Sequence, residues 1–544
     1  MSGASSLLFA LDDGQRRAAA SVARHILVVA GPGSGKTRVL SHRFAYLLQN
    51  GYGPGDLLAI TFTNRAAIEM RERIEALSSV DPRSLDISTF HSFALRFLKK
   101  NGLVFRLAAR IEQKEILKGA GIKDADGTLD TISAIKNGAG PMPPGFQGVF
   151  DSYNEGLAKT GALDLDDLIA RAVEAIENGA APGKTHVLVD EFQDINTVQA
   201  RLVRGLAKDA SVFAIGDPDQ AIYSFRGGSA EAFLDFEKYF PGSEVVRLDR
   251  NYRSGRVISE ASSALIRRNG RRMGSDASAI TDGGEITEVE CRGEAAEASF
   301  VVQEIERLMG GLSSLTVGGS EDARFSDFVV LYRTNRQVDS LQDAFEKSPI
   351  PFHIVSPPGP GLSELAAVLR STAFDGSLKE TVQKALKEAG INEDLAGIAL
   401  NASETCDDSA EGLKILADEL LLLSPPDNLD IKADKVNLMT MHAAKGLEWR
   451  SVFVVGCEDG LVPLRARDGN GDIEEERRLF YVGLTRALSR VYLIHAKERR
   501  VYGEVREAKV SPFLREIPSE FLKKITLDKK PAPRRPQQKG LFES

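Results

Sequence analysis

Cysteine is scarce in this 544-residue chain: Cys291, Cys406 and Cys457 are the only three, and no two are close in sequence. Their spacing excludes a disulfide framework and the paired cysteines of a zinc or iron–sulfur site. No apolar run reaches the length of a membrane span, and the opening MSGASSLLFALDDGQRR has no basic segment ahead of its short apolar stretch. Neither a membrane anchor nor a secretory signal is expected, which makes the cytoplasm the expected compartment. Positive charge is not in excess either, since 69 Lys and Arg face 77 Asp and Glu for a net charge of -8. Any nucleic-acid partner must therefore be held by a local basic surface and not by the field of the whole molecule. The 49 glycines and 22 prolines are spread through the chain, which excludes collagen-like and low-complexity designs. What remains is an ordinary globular composition, 42% hydrophobic and 27% charged, on a chain too long for one core, so several domains are expected.

Short β-branched runs recur: HILVVAG, DLLAITFTN, HVLVDEF and SVFAIGD before residue 250, then FVVLYRTN, SVFVVGC and RVYLIHA after residue 285. Each leads into Gly, Asp, Thr or Asn and then a helical pattern, as buried parallel strands with crossover helices do. The two groups imply an α/β protein with two parallel sheets flanked by helices. Leu95 to Gly183 and Pro357 to Pro426 have helical periodicity broken by Gly and Pro, and read as helical insertions. After Ile525 the chain is basic and rich in proline (LDKKPAPRRPQQKGLFES), and is expected to be disordered.

Gly31-Pro32-Gly33-Ser34-Gly35-Lys36-Thr37 lies between the strand pattern ILVVA and the helix pattern TRVLSHRFAYLL, the setting a phosphate-binding loop requires. Its glycines let backbone N–H groups face a β-phosphate, Lys36 supplies a point charge to the β- and γ-phosphates, and the Thr37 hydroxyl ligates Mg2+. Gly33, Ser34, Gly35, Lys36, Thr37 and Arg38 are the expected nucleotide-binding residues of this segment; Ala30 stands where the usual pattern has its first glycine. A second apolar run, Val187-Leu188-Val189, ends in Asp190-Glu191, two carboxylates at the edge of a sheet where open α/β folds bind ligands. Asp190 suits Mg2+, and Glu191 suits the general base that orients water for phosphoryl transfer.

Eleven segments, in order, resemble the UvrD/Rep-like superfamily 1 helicases: LDDGQRRAA, AGPGSGKT, TFTNRAAIEM, STFHSFALRFL, YNEGLAKTGALDLDDLI, VDEFQDINTVQ, GDPDQAIYSFRGG, LDRNYRS, VLYRTN, VNLMTMHAAKGLEW and EEERRLFYVGLTRA. The resemblance implies two RecA-like P-loop NTPase lobes and an ATP-dependent 3′–5′ DNA helicase or translocase of repair or replication. ATP and Mg2+ are its implied cofactors, and single-stranded DNA and single/double-strand junctions its implied partners. It divides the chain into an N-terminal motor lobe (1–95 and 183–248) with a helical insertion (96–182), and a C-terminal motor lobe (249–355 and 435–524) with a reduced helical insertion (356–434). Residues 525–544 form the tail. By the same resemblance Gln15 reads the adenine edge, Tyr252 stacks on adenine, Glu448 contacts the ribose and Gln220 senses the γ-phosphate. Arg253 and Arg486 reach that phosphate as arginine fingers, whose planar donor forks suit it.

The expected single-strand contacts are Phe62, Asn64, His91, Phe93, Tyr223, Phe225, Arg226, Arg333, Asn335 and His442. Bases stack on aromatic faces while Arg and Asn hold phosphates, so binding is expected to tolerate any sequence and to weaken with salt. Taken alone, each of these aromatics is more often a core residue than a base platform. The family usually has Trp where Phe225 stands, and a large helical subdomain where SPPGPG follows IPFHIV. The shortened insertion leaves open a translocase that displaces proteins without separating strands, or a nucleotide-controlled DNA-binding adaptor. In the tail, Gln538, Leu541 and Phe542 form Q-x-x-L-F, which resembles the peptide by which bacterial replication and repair proteins bind the sliding clamp. Tethering to nucleic acid by the basic arm is the alternative.

Overall fold

Strands that are apolar on both faces must be covered on both faces, and the N-terminal lobe achieves this with a six-stranded parallel sheet. Across the sheet its strands are Ile87–Thr89, Leu57–Thr61, His186–Val189, Ser211–Gly216, His25–Ala30 and Glu244–Leu248. Alternate residues serve opposite cores. Leu27 and Val29 pack with Phe90, Leu168 and Phe233 on one face, and Ile26, Val28 and Ala30 with Val39, Phe44 and Met70 on the other. The computed structural model describes residues 7–527 except 225, 226, 229, 230, 271, 275, 311–322, 356–360, 389–392, 404, 405, 424–432, 466–471, 502 and 503.

The second sheet runs Phe352–Ile354, Val436–Thr440, Phe328–Tyr332, Trp449–Val454, Ala487–Val501, Glu285–Gly293 and Leu522–Thr526, all parallel, with Glu504–Glu507 antiparallel on Ala487–Val501. It too has two cores, one around Leu331, Met439, Phe480 and Leu493, the other around Val330, Leu438, Phe453 and Ile494. Two helix-flanked parallel sheets are the α/β class expected from the alternating patterns. Register then places the functional turns. Val29 lies beside Gly216 and Ile60 beside Val189, so the turns after Ala30, Thr61, Val189 and Gly216 open at one edge, the ligand-binding edge of such sheets.

The insertions differ from their expected spans. Helix Phe90–Lys100 crosses the boundary at 96, and helix Leu165–Glu177 buries Leu168, Ile169, Ala172, Val173 and Ile176 in the lobe's own core beside Phe93, Phe97 and Leu98. Both helices are amphipathic, and each covers the other's apolar stripe. The separate core of the first insertion shrinks to residues between Ala108 and Ala162. The second insertion comprises helices Gly361–Ser371, Leu378–Glu388, Glu393–Ser403 and Ala410–Leu420 around Leu365, Leu369, Val382 and Leu416. Its Asp418, 2% exposed, ties it to the N-terminal lobe by accepting from Lys99 Nζ at 2.7 Å and Leu107 N at 3.3 Å, while Arg370 of its own helices donates at 2.6 Å. Ile525 and Thr526 pair with Val289 and Glu290, so the sheet continues past the boundary expected at 525. Among the described residues, no helix is long and apolar enough to cross a membrane.

Candidate nucleotide site and nucleic-acid groove

The loop after strand His25–Ala30 turns sharply into helix Lys36–Gln49 through Gly33 and Gly35, whose φ values of +69° and +84° suit glycine alone. At Gly33 a side chain would also collide with Asn251 and Arg253. The second lobe approaches that closely because Tyr252 N donates to Gly33 O at 2.8 Å, and Asn251 Oδ1 accepts from Arg253 N at 2.8 Å. Lys36 folds over the loop, Nζ lying 3.3 Å from Ala30 O and 3.5 Å from Gly31 O, and Ser34 Oγ donates to Gly31 O at 2.7 Å. Arg38 reaches away from the loop to Ala10 O at 2.5 Å.

Gln15 takes a place different from the one expected. It is 1% exposed, its Oε1 accepts from Asp12 N at 3.3 Å and its Nε2 donates to Ser34 O at 3.0 Å. With Asp12 Oδ1 accepting from Gln15 N at 2.8 Å, the two residues form a capping box that starts helix Asp13–Ala20 and braces the phosphate loop from below. Both ends of the amide are committed, and Gln15 is not among the residues lining the cavity described below. Tyr252, 39% exposed, donates to Asp12 Oδ2 at 2.5 Å.

Asp190 and Glu191 leave the sheet edge together. Glu191 sits in the left-handed region at φ +48°, an uncommon conformation for a side chain with a Cβ, and its N–H donates to Asp190 Oδ1 at 2.9 Å. Burial, reinforced by the neighbouring Glu191 charge, raises the Asp190 carboxyl to about 7. Glu191 goes the other way: burial opposes its charge, but Lys36 first, then Lys445 and a hydrogen bond from Gln193 Nε2 at 2.6 Å, hold it below the ordinary value. A carboxylate beside a hydroxyl at a helix N-terminus is a donor set that fits Mg2+, which takes one or two protein oxygens together with phosphate oxygens and waters. Thr37 and Asp190 provide that set in one cavity.

The cavity, about 1520 Å³, is lined by both lobes: Lys36, Thr37, Asp190, Glu191 and Gln220 from the first, and Tyr252, Arg253, Glu448 and Arg486 from the second. Gln220 links them. Its Nε2 donates to Asp217 Oδ2 at 2.7 Å, and its Oε1 accepts from Arg486 at 3.0 Å. Arg486 is buried, and burial together with the charge of Arg253 lowers its pKa to about 9. Arg253 pairs with Glu448 at 2.6 Å and donates to Thr485 O at 3.3 Å. Three further groups complete the junction. Lys445 forms a buried ion pair with Asp194 and donates to Gln220 O at 2.5 Å, and Gln193 Oε1 accepts from Asp217 N at 2.9 Å. Lys445, Gln193 and Asp194 were not singled out from sequence, although each stands inside a segment that was (HAAKGLEW and DEFQD).

Of the expected single-strand contacts, Phe62, His91, Tyr223, Asn335 and His442 line the same cavity. Phe62 packs edge-on against Phe90 with centroids 6.0 Å apart, and Tyr223 donates to His442 O at 3.4 Å while Lys445 lies 5.4 Å from its ring centre. Phe93 is buried and stacks on Phe97, a core role. Asn64 opens helix Asn64–Ser78 outside the cavity lining, and Arg333 is held by Glu476 at 2.7 Å. Phe225, Arg226, Gln538, Leu541 and Phe542 lie outside the described residues.

A P-loop sheet, its neighbouring carboxylates and a second parallel sheet closing one cavity define a two-lobed nucleoside-triphosphatase. Comparison with known proteins narrows the class. The family model described as the UvrD/REP helicase N-terminal domain matches residues 11–137 and 122–241, and that of the UvrD-like helicase C-terminal domain matches 246–358 and 388–498. The chain is 31% identical to DNA helicase II of Escherichia coli (strain K12) over 96% of its own length and 89% of that protein. It is 30% identical to the ATP-dependent DNA helicase PcrA of Leuconostoc citreum over 91% of its length and 83% of the relative, and 28% identical to that of Bacillus subtilis (strain 168) over 95% and 87%. The chain belongs to the UvrD-like helicase family.

Proposed function

We propose that this helicase binds Mg-ATP between its lobes and uses hydrolysis to move 3′ to 5′ along single-stranded DNA in repair or replication, in the cytoplasm. The observation that carries the reading is the chain Asp217–Gln220–Arg486, which crosses the lobes inside the cavity that also holds Lys36, Asp190 and Glu191. Contacts made only when the lobes are close let ATP shift the domain equilibrium and let product release reset it. Lys36 exchanges the carbonyls of Ala30 and Gly31 for β- and γ-phosphate oxygens, and Glu191 takes the proton of the attacking water. Arg253 leaves Glu448 for the γ-phosphate, which frees that carboxylate for the ribose, while Tyr252 stacks on the base. Gln15 steadies the loop and meets the adenine edge once its present bonds exchange. Thr37 and Asp190 would hold Mg2+, which would supply positive charge against the phosphate oxygens. Phe62, His91, Tyr223, Asn335 and His442 form the strand-binding part of the cavity, and Phe225, Arg226, Asn64 and Arg333 are further proposed strand contacts.

The test is a pair of substitutions assayed for ATP binding and turnover. Glu191→Gln is expected to hold ATP without hydrolysing it, and Lys36→Ala to weaken ATP itself; full turnover in Glu191→Gln contradicts the base assignment. The four short helices among the described residues of the second insertion, and the break in the C-terminal family match between 358 and 388, favour a second reading in which the motor clears proteins from DNA without separating strands. Strand displacement on tailed duplexes separates the two. The tail residues Gln538, Leu541 and Phe542 are proposed to bind a bacterial sliding clamp. A tail peptide that binds a clamp no better than its Leu541→Ala, Phe542→Ala version rejects this.

A further inference from the structure

Helix Ile473–Leu484 begins at Asp472, whose Oδ1 accepts from Glu474 N at 2.8 Å and Glu475 N at 3.1 Å, and ends just before Arg486. Three side chains spaced along this one element of the second lobe hold the first lobe's loop after Gly216. At its start, Glu475 Oε1 accepts from Ser224 N at 2.9 Å and its other oxygen from the Ser224 hydroxyl. One turn on, Arg478 Nε donates to Ala221 O at 2.8 Å. Past its end, Arg486 donates to Gln220 Oε1 at 3.0 Å. The same lobe holds Asp219 as well, through Arg272 at 3.0 Å from Nε and 2.5 Å from its terminal nitrogen. Between Ala221 and Ser224 the loop carries Tyr223, an expected strand contact that lines the cavity.

A helix of 12 residues is a rigid rod about 18 Å long, so a loop fixed to it at several points moves with it. We propose that Glu475 and Arg478 are positioning residues that tie this strand-contacting loop to the helix that leads into the Arg486 finger, so that a strand seated at the loop sets the finger. This rests on the motor reading above and assigns the coupling to two side chains that lie outside the cavity lining. Both act by charge-assisted hydrogen bonds to a loop they do not belong to, which distinguishes them from groups that touch nucleotide.

The experiment compares steady-state ATP hydrolysis with and without oligo(dT) in wild type, in Glu475→Ala/Arg478→Ala, and in the conservative pair Glu475→Gln/Arg478→Lys. The alanine pair is expected to keep its DNA-free kcat and its KM for ATP within about twofold and to lose about tenfold in DNA stimulation, with partial recovery in the conservative pair. Unchanged stimulation overturns the inference. A parallel fall in DNA-free and DNA-stimulated rates overturns it too, because that is the mark of a damaged fold or ATP site. Wild-type hydrolysis that ignores DNA refutes the motor reading itself, and the coupling falls with it.

Discussion

Arg486→Lys keeps a cation in the sequence but not, at every pH, in the site. The arginine donates to Val482 O at 3.0 Å, Leu447 O at 3.2 Å, Thr485 Oγ1 at 3.2 Å and Gln220 Oε1 at 3.0 Å. Burial, then the charge of Arg253, lowers its pKa to about 9, against the opposing pull of Glu191, Glu448 and Tyr481. It therefore stays charged at neutral pH. A lysine starts near 10.4, and the same burial and neighbouring charge push it down from there toward neutral pH. An ammonium is charged below its pKa and neutral above it. The kcat/KM for ATP of the lysine variant, which reports the free enzyme, should thus fall relative to wild type as pH rises through that lowered pKa, by up to about tenfold per pH unit. Arg486→Ala lacks the finger at all pH values and should lose about 10³-fold or more in kcat. It also leaves buried acceptors unpaired, at about 1–3 kcal/mol each. Phosphate release measured from about pH 6 to 9 at constant ionic strength and saturating oligo(dT) decides the matter. A lysine variant whose kcat/KM runs parallel to wild type across that range refutes the argument that burial governs the charge at this position.

Tyr153 is 1% exposed and donates to Asp164 Oδ2 at 3.0 Å, while Lys136 holds the same oxygen at 2.7 Å. Tyr153→Phe should therefore cost only about 1 kcal/mol, read as a shift in the urea midpoint, and a loss several times larger would mean that Lys136 does not satisfy the carboxylate. Asp418→Ala removes the carboxylate shared by Lys99, Arg370 and Leu107 N. The second insertion should come away from the N-terminal lobe at a cost of about 3 kcal/mol or more, seen as faster limited proteolysis between residues 361 and 420; an unchanged cleavage rate contradicts it.

The two sheets were legible because their central strands, such as Leu57–Thr61 and Phe328–Tyr332, have no polar face, a pattern that only double-sided burial satisfies. The phosphate loop and the Asp190–Glu191 pair were legible because each is local and follows its own strand. Pairs distant in sequence were not. Lys445 meets Asp194 across 251 residues of sequence, and Arg333 meets Glu476 across 143, so no spacing rule joins them. The role of Gln15 was closer to hand, since Asp12-x-x-Gln15 is a helix-starting box in its own right. Helix Leu165–Glu177 was placed in an insertion because periodicity shows that a helix has an apolar face, not which core receives it.

Directional movement on single-stranded DNA driven by ATP defines the proposed motor, and release of streptavidin from end-labelled oligonucleotides tests it without requiring strand separation. A 3′–5′ motor is expected to give ATP-dependent release from a 5′-biotinylated strand, little from a 3′-biotinylated one, and none from either with Glu191→Gln. Release from both ends alike, from the 3′ end alone, or undiminished by Glu191→Gln would contradict it.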